Sequence, residues 1–302
     1  MMYQRDGVIN YHRIISRGGQ MLDYRVLNNV SIETLHEAFR NAFSDYQVEM
    51  NLSIETFRQM LQRRGFAPEI SIGAFKNDRL VGFVLNGLRI LNGKATGYDI
   101  GTGVIMDYRR QGVTSNMLLN VKEILKQKQI EQYILEVIQS NESALQLYEK
   151  EGFKIQRNFS CYKIEKKSYV SLKNHKVEHS DQMAWEQLKE FWDFEPSWQN
   201  SIDSVNAVSE EFLYSIVHYD NTIVGYGMIN KKTGDIPQIA VNKDFRGKGI
   251  GRSILTDLIE YTESDKISIL NVDYESKCTK EFLAKLGFQP IVSQYEMLLH
   301  IR

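Results

Sequence analysis

Two segments of the chain are near copies of each other. Residues Ile105–Thr114 read IMDYRRQGVT, and residues Asn242–Gly251 read NKDFRGKGIG, at an offset of 137 residues. A second pair follows in the same order, because Leu145–Phe153 and Lys280–Phe288 both end in Gly-Phe at an offset of 135 residues. Self-similarity at a nearly fixed offset is the sequence signature of a duplicated unit. The sequence therefore predicts two tandem copies of one domain.

The length of the chain agrees with a duplication. Single cores rarely grow beyond about 250–300 residues, and the chain has 302. The repeat and the loss of apolar periodicity in the charged stretch Lys163–Lys167 place a boundary there. We expect a first domain over residues 21–166 and a second over residues 167–302. Residues 1–20 are polar and aperiodic, and either they form an ordered extension or Met21 is the natural start.

The composition excludes several classes of protein. Hydrophobic residues make up 42% of the chain and charged residues 25%, which is enough apolar material for a core in each half. The net charge of -1 provides no basic field for nucleic-acid or anionic-membrane binding. No apolar run approaches the ~18 residues of a membrane span, and the N-terminus lacks the apolar region of a signal peptide.

The cysteine content favours a reducing compartment. The two cysteines, Cys161 and Cys278, stand outside any metal-ligand spacing, so neither a disulfide framework nor a metal site is predicted. We therefore expect a cytoplasmic protein without a nucleic-acid or membrane partner, present as a monomer or a homodimer.

The apolar pattern predicts alternating strands and helices in each copy, that is, the α/β class. Lys76–Phe83 and Tyr219–Tyr226 each place a polar turn between two β-prone runs, which is typical of a hairpin. The two Gly-Phe pairs predict helices that end in a left-handed glycine and a buried aromatic ring. The helix after each repeated segment carries an apolar stripe, formed by Met117, Leu118, Val121, Ile124 and Leu125 in the first copy and by Ile254, Leu255, Leu258 and Ile259 in the second.

The Arg-x-x-Gly-x-Gly element of the repeat is a candidate anion site. It lies between an apolar strand and a helix, where small residues let backbone N–H groups converge and the helix adds partial positive charge. It is not a dinucleotide-binding fingerprint, because Arg252 stands where the third glycine is required. It is not a Walker loop either, because no Gly-Lys-Ser/Thr follows a four-residue gap. Taken alone, the turn leaves open a plain glycine-rich connection.

Two motifs together resemble one protein family. Residues 246–251 (RGKGIG) resemble the Q/R-x-x-G-x-G/A pyrophosphate loop of the GNAT acetyltransferases, and residues 109–114 (RRQGVT) match all but its last position. Residues 135–153 resemble the fifth strand of that family and its N-x-x-A-x-x-L-Y-x-x-x-G-F helix. The chain is therefore identified as a tandem member of the GNAT superfamily from about residue 21 to its end. The first helices of each copy are matched only by position.

The resemblance implies a fold and a cofactor. Each copy would be a mixed, mostly antiparallel sheet with splayed fourth and fifth strands, flanked by helices in an α+β sandwich. Acetyl-CoA would bind between the splayed strands, its pantetheine arm along the fourth strand like an added strand and its pyrophosphate on main-chain N–H groups. The implied contacts are Thr102, Gly103, Val104, Arg109, Arg110, Gln111, Gly112, Val113, Thr114, Ser115 and Asn141 in the first copy, and Ile239, Ala240, Val241, Arg246, Gly247, Lys248, Gly249, Ile250, Gly251 and Arg252 in the second.

The resemblance also implies catalytic residues. Acetyl transfer to an amine requires a neutral nucleophile, a polarised thioester carbonyl and a proton for the departing thiolate. Tyr148 stands where the family commonly has a general acid, and a phenol of pKa about 10 suits a thiolate whose thiol has a pKa of about 8.5. The alternative is that Tyr148 only packs its helix. Glu136 stands where some members place a base that acts on the amine, whereas many others keep Glu there without that role.

The second copy departs from the family pattern. Leu283 stands where Tyr148 stands, Ser276 replaces the asparagine, and the nearby Tyr274 is at a strand end rather than on the helix. The first copy instead has Thr114 at the last loop position, where a β-carbon crowds the phosphates, so weakened binding is expected there. We expect catalysis in the first copy and a structural or ligand-holding role in the second.

The acceptor is usually chosen by the first helices and the loop between them. In the first copy the acidic and aromatic residues of this region suit a cationic amine, and the alternative is an amphipathic helix end. In the second copy the aromatic residues are expected in the core or between the copies, with a substrate cage as the alternative. The residues are Phe39, Phe43, Asp45, Tyr46 and Glu49 within Ala38–Asn51, and Trp185, Phe191, Trp192, Asp193, Phe194, Glu195 and Trp198.

Three hypotheses follow. The first is an acetyl-CoA-dependent N-acetyltransferase that acts on a primary amine of a small molecule or peptide. The second is a catalytically idle acetyl-CoA-binding sensor or scaffold. The third, a nucleic-acid binder, is disfavoured because lysines on helix faces are usually only solvated, and it would use Arg109, Arg110, Lys122, Lys126 and Lys128.

Overall fold

Thirteen strands and eight helices make up the described part of the chain, residues 12–15, 21–45, 52–181 and 183–301, in a computed structural model. The strands are β1 (His12–Ile15), β2 (Met21–Val26), β3 (Ile72–Lys76), β4 (Arg79–Leu91), β5 (Lys94–Val104), β6 (Gln132–Ile138), β7 (Lys154–Glu165), β8 (Glu178–His179), β9 (Phe212–Tyr219), β10 (Thr222–Asn230), β11 (Ile239–Val241), β12 (Lys266–Asp273) and β13 (Gln289–His300). The helices are α1 (Ile32–Ala42), α2 (Ile54–Arg63), α3 (Val113–Gln127), α4 (Glu142–Lys150), α5 (Trp185–Leu188), α6 (Ile202–Asn206), α7 (Ile250–Tyr261) and α8 (Lys277–Lys285).

The strands form two sheets. The larger sheet has the order β1-β2-β3-β4-β5-β6-β13-β7-β12, and the smaller has the order β11-β10-β9-β8. Among the described strands, the pairing of β5 with β6 is the only parallel one. The mixed, mostly antiparallel sheet predicted from the resemblance is therefore confirmed.

The fourth and fifth strands of each copy separate, as predicted. In the first half β5 and β6 pair only as far as Tyr98 and Ile134, and then diverge. In the second half the corresponding strands, β11 and β12, belong to different sheets. In each half the fourth and fifth strands therefore part beside the fourth strand, where a cleft can form.

The last strand of each half lies in the sheet of the other half. β13 inserts between β6 and β7, and β7 pairs with β12 on its other side. Gln294 pairs with Phe159, its equivalent 135 positions earlier, so a pseudo-twofold axis passes between them. The division of the chain at residue 166 stays a prediction. Because the last strands are exchanged, neither half completes its sheet from its own residues.

Local sequence explains the hairpins and the helix ends. The turns Asn77-Asp78 and Asp220-Asn221 have φ between 47° and 63°, the left-handed geometry of tight hairpin turns. Gly152 and Gly287 end α4 and α8 with φ of 98° and 88°, and the phenylalanine after each is buried. All residues of the two predicted apolar stripes are buried in α3 and α7. These local predictions are confirmed.

The first two helices and α3 cover opposite faces of the first half. Phe83 packs against Phe39 of α1, with ring centroids 6.0 Å apart. The neighbouring Gly82 faces Met117 of α3, 3.4 Å from the position of an added β-carbon. Adjacent residues of a strand point to opposite faces, so α1 and α3 pack on opposite faces of β4.

One aromatic contact joins the two halves. Trp198 of the second half stacks on Tyr98 of the first, with ring centroids 5.0 Å apart and planes at 7°. Its Nε1 donates to the Arg64 carbonyl at 3.0 Å. Beside it, Arg63 donates to Asp235 at 2.7 Å and to the Gln199 carbonyl at 2.9 Å. The expected contact between the copies is confirmed for this tryptophan.

Across the described ranges, no helix combines the length and the apolar character that crossing a bilayer requires. Cys161 is a buried free thiol and Cys278 an exposed one.

Replacing Trp198 with Ala should lower the free energy of unfolding by about 3–5 kcal/mol, because the large-to-small change leaves a cavity between the halves. The exchanged strands should make urea unfolding a single transition, in which fluorescence and circular dichroism change together. Trp185→Ala, at a half-buried ring of the second half, is the matched control for Trp198→Ala and should lower the free energy of unfolding less. Two separate transitions in the wild type would contradict this account.

Candidate functional site

Each half has a left-handed glycine at the start of a helix. Gly112 is the N-cap of α3 with φ 78°, and Gly249 is the N-cap of α7 with φ 85°. Neither cap has a side chain to bond the first N–H groups of its helix, which have no partner within the helix itself. A β-carbon at Gly112 or at Gly247 would meet nothing within 4 Å. The space in front of Gly112 and Gly247 is therefore open and would admit a pyrophosphate, whereas a β-carbon at Gly249 would lie 3.9 Å from the side chains of Asn174 and His175.

The two loops differ at one strained position. Arg110 adopts φ 59°, whereas its equivalent in the second half, Gly247, adopts φ 76°. A left-handed non-glycine residue costs about 1–2 kcal/mol. The first half therefore keeps the loop shape against an intrinsic backbone preference, a kind of strain that tends to lie at functional sites.

The arginine that begins each loop turns its side chain away from the amides. In both halves the guanidinium bonds a strand-end carbonyl, a carbonyl at the end of the preceding helical segment and a carboxylate, at 2.6 to 3.0 Å. These partners are Val104, Ala42 and Asp45 for Arg109, and Val241, Phe191 and Asp193 for Arg246. Contact of these two arginines with the cofactor stays a prediction. Their main-chain N–H groups, and not their side chains, would make it.

The fourth strands present a free edge to their clefts. Thr102, Gly103 and Val104 pair with β4 on one side, and β6 has already diverged on the other. In the second half β11, which is Ile239–Val241, pairs with β10 alone. Backbone groups along these edges are thus positioned to bind an extended chain.

A cavity of about 340 Å³ opens beside β11 in the second half. Leu283, at the position equivalent to Tyr148, is fully buried in the core. Tyr274 is exposed, with the Lys280 ammonium 3.9 Å from its ring centroid. The cavity has room for a ligand but has no phenol on α8. It is lined by Asp193, Ile239, Ala240, Val241, Phe245, Arg246, Gly247, Gly249, Ile250, Gly251, Arg252, Cys278, Thr279, Phe282, Lys285 and Leu286.

Lys248 and Arg252 are each bonded to a backbone carbonyl beside this cavity. The Lys248 ammonium lies 4.7 Å from the Phe245 ring centroid and donates to the Asp244 carbonyl at 3.3 Å. Arg252 donates to the Val170 carbonyl at 3.1 Å. Arg252 also lines the cavity, together with Arg246 and Lys285.

Tyr148 of α4 is buried and meets a carboxylate that the motifs did not predict. Its hydroxyl donates to Asp99 Oδ2 over a long 3.5 Å contact, and its ring packs on Phe153. The Thr102 hydroxyl donates to the same Asp99 oxygen at 2.6 Å. Burial raises the pKa of Asp99 to about 6, although both hydroxyls oppose that rise. The signal in the sequence is an acidic residue in the middle of an apolar fourth strand.

The other predicted residues of the first loop have local roles. Val113 is buried in the core, and Gln111 donates to the Asp107 carbonyl at 2.9 Å. Thr114 and Ser115 lie in the first turn of α3. Asn141 is the N-cap of α4, and its Oδ1 accepts from the Ala144 N–H at 3.2 Å.

Glu136 lies at the contact between the halves. Its Oε2 accepts from Asn271 Nδ2 at 2.7 Å and from Gln199 Nε2 at 2.9 Å. Asn271 is the equivalent of Glu136 in the second half, 135 positions later, so the two fifth strands meet here. Its other oxygen, Oε1, is buried without a partner among the described groups. Burial raises the pKa of Glu136 above its usual value.

Of the residues predicted to contact the acceptor in the first half, some lie in the core and one is bonded to Arg109. Phe39 is buried and packs against Phe43, with ring centroids 4.6 Å apart. Asp45 is held by Arg109, which keeps the pKa of that carboxyl below its usual value. Tyr46 and Glu49 lie outside the described residues.

The aromatic segment of the second half is mostly structural. Phe191 is buried, and Trp192 Nε1 donates to the Tyr226 hydroxyl at 2.5 Å. Asp193 is held by Arg246, as Asp45 is by Arg109. In the described part of the chain, no group of three His, Cys, Asp or Glu side chains is placed to hold a metal ion.

Comparison with known proteins gives the family. Residues 32–153 match the model of the acetyltransferase (GNAT) family, and residues 178–298 match that of the acetyltransferase (GNAT) domain. N-alpha-acetyltransferase 30 of Schizosaccharomyces pombe is 30% identical over 87 residues, which are 28% of this chain. The match spans 58% of the length of that relative.

Solved structures share the whole arrangement. A tandem GNAT protein from the clavulanic acid biosynthesis pathway has a TM-score of 0.72 at 12% identity, over 93% of this chain and 99% of the other. A putative acetyltransferase from Pyrococcus horikoshii has a TM-score of 0.70 at 14% identity, over 100% of this chain and 94% of the other. At such identities the likeness is one of fold. Taken with the two family matches, it shows that the chain belongs to the GNAT acetyltransferase family and carries two tandem copies of its domain.

Proposed function

We propose that the protein transfers an acetyl group from acetyl-CoA to a primary amine of a small molecule or peptide, with catalysis in the first half. The observation that carries the proposal is the buried Tyr148 hydroxyl beside β5, where β5 and β6 diverge. A family relative is named as an N-alpha-acetyltransferase, which favours a peptide or small-molecule amine as acceptor.

The residues of the first half fit acetyl-CoA. When bound, acetyl-CoA supplies the acetyl group as a thioester. The space in front of Gly112 is open, and the amides of residues 110–115 would hold the pyrophosphate there. The free edge of Thr102–Val104 would bond the pantetheine arm. Arg109 fixes the loop after α1 to the end of β5, through Asp45 and the Ala42 carbonyl, and so keeps both walls of the cleft together.

Two residues would handle protons. Tyr148 would donate its phenol proton to the departing thiolate. Glu136 would take the proton of the attacking amine through Oε1, since Gln199 and Asn271 occupy its other oxygen. Because both side chains are buried, their electrostatic effect on the reacting atoms is stronger than in water.

The second half would hold acetyl-CoA without transferring the acetyl group. Its cavity of about 340 Å³ includes the glycine loop, but Leu283 replaces the phenol. The cavity without a phenol favours a second half that binds acetyl-CoA without reacting, as the sensor hypothesis expects.

Tyr148→Phe should lower kcat about 10²–10⁴-fold, because it removes the proposed general acid while keeping the ring in place. Steady-state release of CoA thiol, with a panel of amines, measures the effect. Tyr214→Phe removes another buried phenol hydroxyl, in the second half, and should leave kcat unchanged. Full activity in Tyr148→Phe would contradict the assignment of Tyr148 as the general acid.

Gly112→Val and Gly249→Val are equivalent changes in the two loops. Each puts a branched side chain at a left-handed φ, in front of the pyrophosphate amides. Gly112→Val should abolish turnover. Gly249→Val should keep turnover and lose one equivalent of bound CoA in isothermal titration calorimetry.

The opposite pattern, with turnover lost only in Gly249→Val, would assign the chemistry to the second half. Tight CoA binding by the wild type without turnover on any amine would favour the idle sensor.

Glu136→Gln should lower kcat/KM for the amine about 10²-fold or more, since an amide cannot accept the proton. The wild type should lose activity as pH falls through the raised pKa of Glu136, and the variant should lack that limb. A pH–rate profile of both proteins measures this. An unchanged profile in the variant would leave Glu136 a purely structural contact between the halves.

A further inference from the structure

Asp99 is a buried carboxyl with one unsatisfied oxygen. It lies on β5 with 6% of its surface exposed, next to a bulge in the pairing with β4 between Asn86 and Leu85. Its Oδ2 accepts from the Thr102 and Tyr148 hydroxyls at 2.6 and 3.5 Å. Within the described part of the chain, Oδ1 has no partner in hydrogen-bond geometry, and the Gly101 N–H also favours the ionised carboxyl.

The fold gains little from a carboxyl at this position. An ionised carboxylate loses its hydration on burial, which costs several kcal/mol unless it is paired. The nearest described cation that acts on Asp99 is Arg64, whose guanidinium donates to the Ile100 carbonyl and to Gln199 instead. Buried titratable groups that are poorly compensated tend to lie at functional sites.

We propose that Asp99 is a positioning residue for Tyr148: its carboxyl holds the phenol hydroxyl where β5 and β6 separate, and its protonation state sets the acidity of that phenol. The proposal rests on the proposed function for its catalytic meaning. It adds a residue that neither the motif nor the family match assigns.

The physical basis is the charge on Oδ2. An ionised Asp99 attracts the phenol proton and disfavours a phenolate beside it, which raises the pKa of the phenol. A neutral Asp99 removes that charge and offers an O–H donor to the phenol oxygen. Tyr148 is therefore the stronger acid when Asp99 is protonated. A contact of 3.5 Å is long, and hydrogen bonds at catalytic sites commonly shorten when substrate binds.

Few other groups near Asp99 titrate near neutral pH. The charged and titratable side chains that face it are Tyr148 from α4, Tyr133 from β6, Tyr98 on β5 and Arg64 after α2. Burial raises the pKa of Tyr98 and of Tyr133 well above the usual value for a phenol. Glu136 is a second buried carboxyl whose pKa burial raises, and both it and Asp99 act on Tyr98. Asp99→Asn therefore decides whether a change near pH 6 at Tyr148 reports Asp99.

The test uses the full chain without acetyl-CoA, labelled with ¹³C at the ζ carbon of tyrosine. The Tyr148 resonance is identified as the one that disappears in Tyr148→Phe. In the wild type it should shift between pH 4.5 and 8 with a midpoint of about 6. In Asp99→Asn the same resonance should not titrate. In Thr102→Val the midpoint should rise, because the lost hydrogen bond favoured the ionised form.

The controls separate this proposal from a loss of structure. Asp220→Asn makes the same chemical change at an exposed turn and should leave the Tyr148 titration unchanged. Asp99→Asn should fold, since the raised pKa of Asp99 means that the wild type loses stability as pH rises through about 4 to 6 and the variant does not. Thermal unfolding at pH 4 and pH 7 measures that difference.

The kinetic readout connects Asp99 to the reaction. In the wild type kcat should fall as pH rises through about 6, because ionised Asp99 weakens the acid, whereas kcat of Asp99→Asn should not change over that range. KM of the variant for acetyl-CoA should stay within about twofold of the wild type, because Asp99 acts through the phenol and not through binding. A wild-type Tyr148 resonance that does not titrate, or a titration that survives in Asp99→Asn, would overturn the proposal alone. Full activity in Tyr148→Phe would instead overturn the assignment of the acid, and with it the catalytic role of Asp99.

Discussion

The exchange of the last strands is the constraint on which the rest of the structure depends. β13 fills the place beside β6 and β7 fills the place beside β12, so each half borrows the strand that closes its sheet. Side chains of the two fifth strands then meet across the pseudo-twofold axis, where Asn271 donates to Glu136. The exchange and this buried hydrogen bond therefore join the two halves at the same place.

Sequence reasoning predicted the elements that depend on local chemistry. The Asn77-Asp78 turn, the apolar stripe of α3 and the Gly152-Phe153 helix end all follow from residue type and spacing, and the structure has them. The exchange could not be predicted, because the sequence of a strand such as β7 or β13 does not state which strand lies alongside it.

The site was predictable in its backbone and less so in its side chains. A glycine at a left-handed position is a backbone requirement, so the motif located both loops. The motif does not state where a long side chain points, and Arg109 and Arg246 turn to hold carboxylates instead of the amide face. The burial of Asp99 could not be predicted, because a single acidic residue in a strand indicates a surface position unless the packing on both faces of the sheet is known.

The exchanged strand also sets an order of events during synthesis. Domains generally fold as units, with the N-terminal one completed first. Here β6 gains its antiparallel neighbour only when residues 289–300 have been made. Until then the first half presents unpaired edges on β6 and β7, which are templates for association with other chains. The sheet of the first half is therefore completed only after the last strand of the second half has been synthesised.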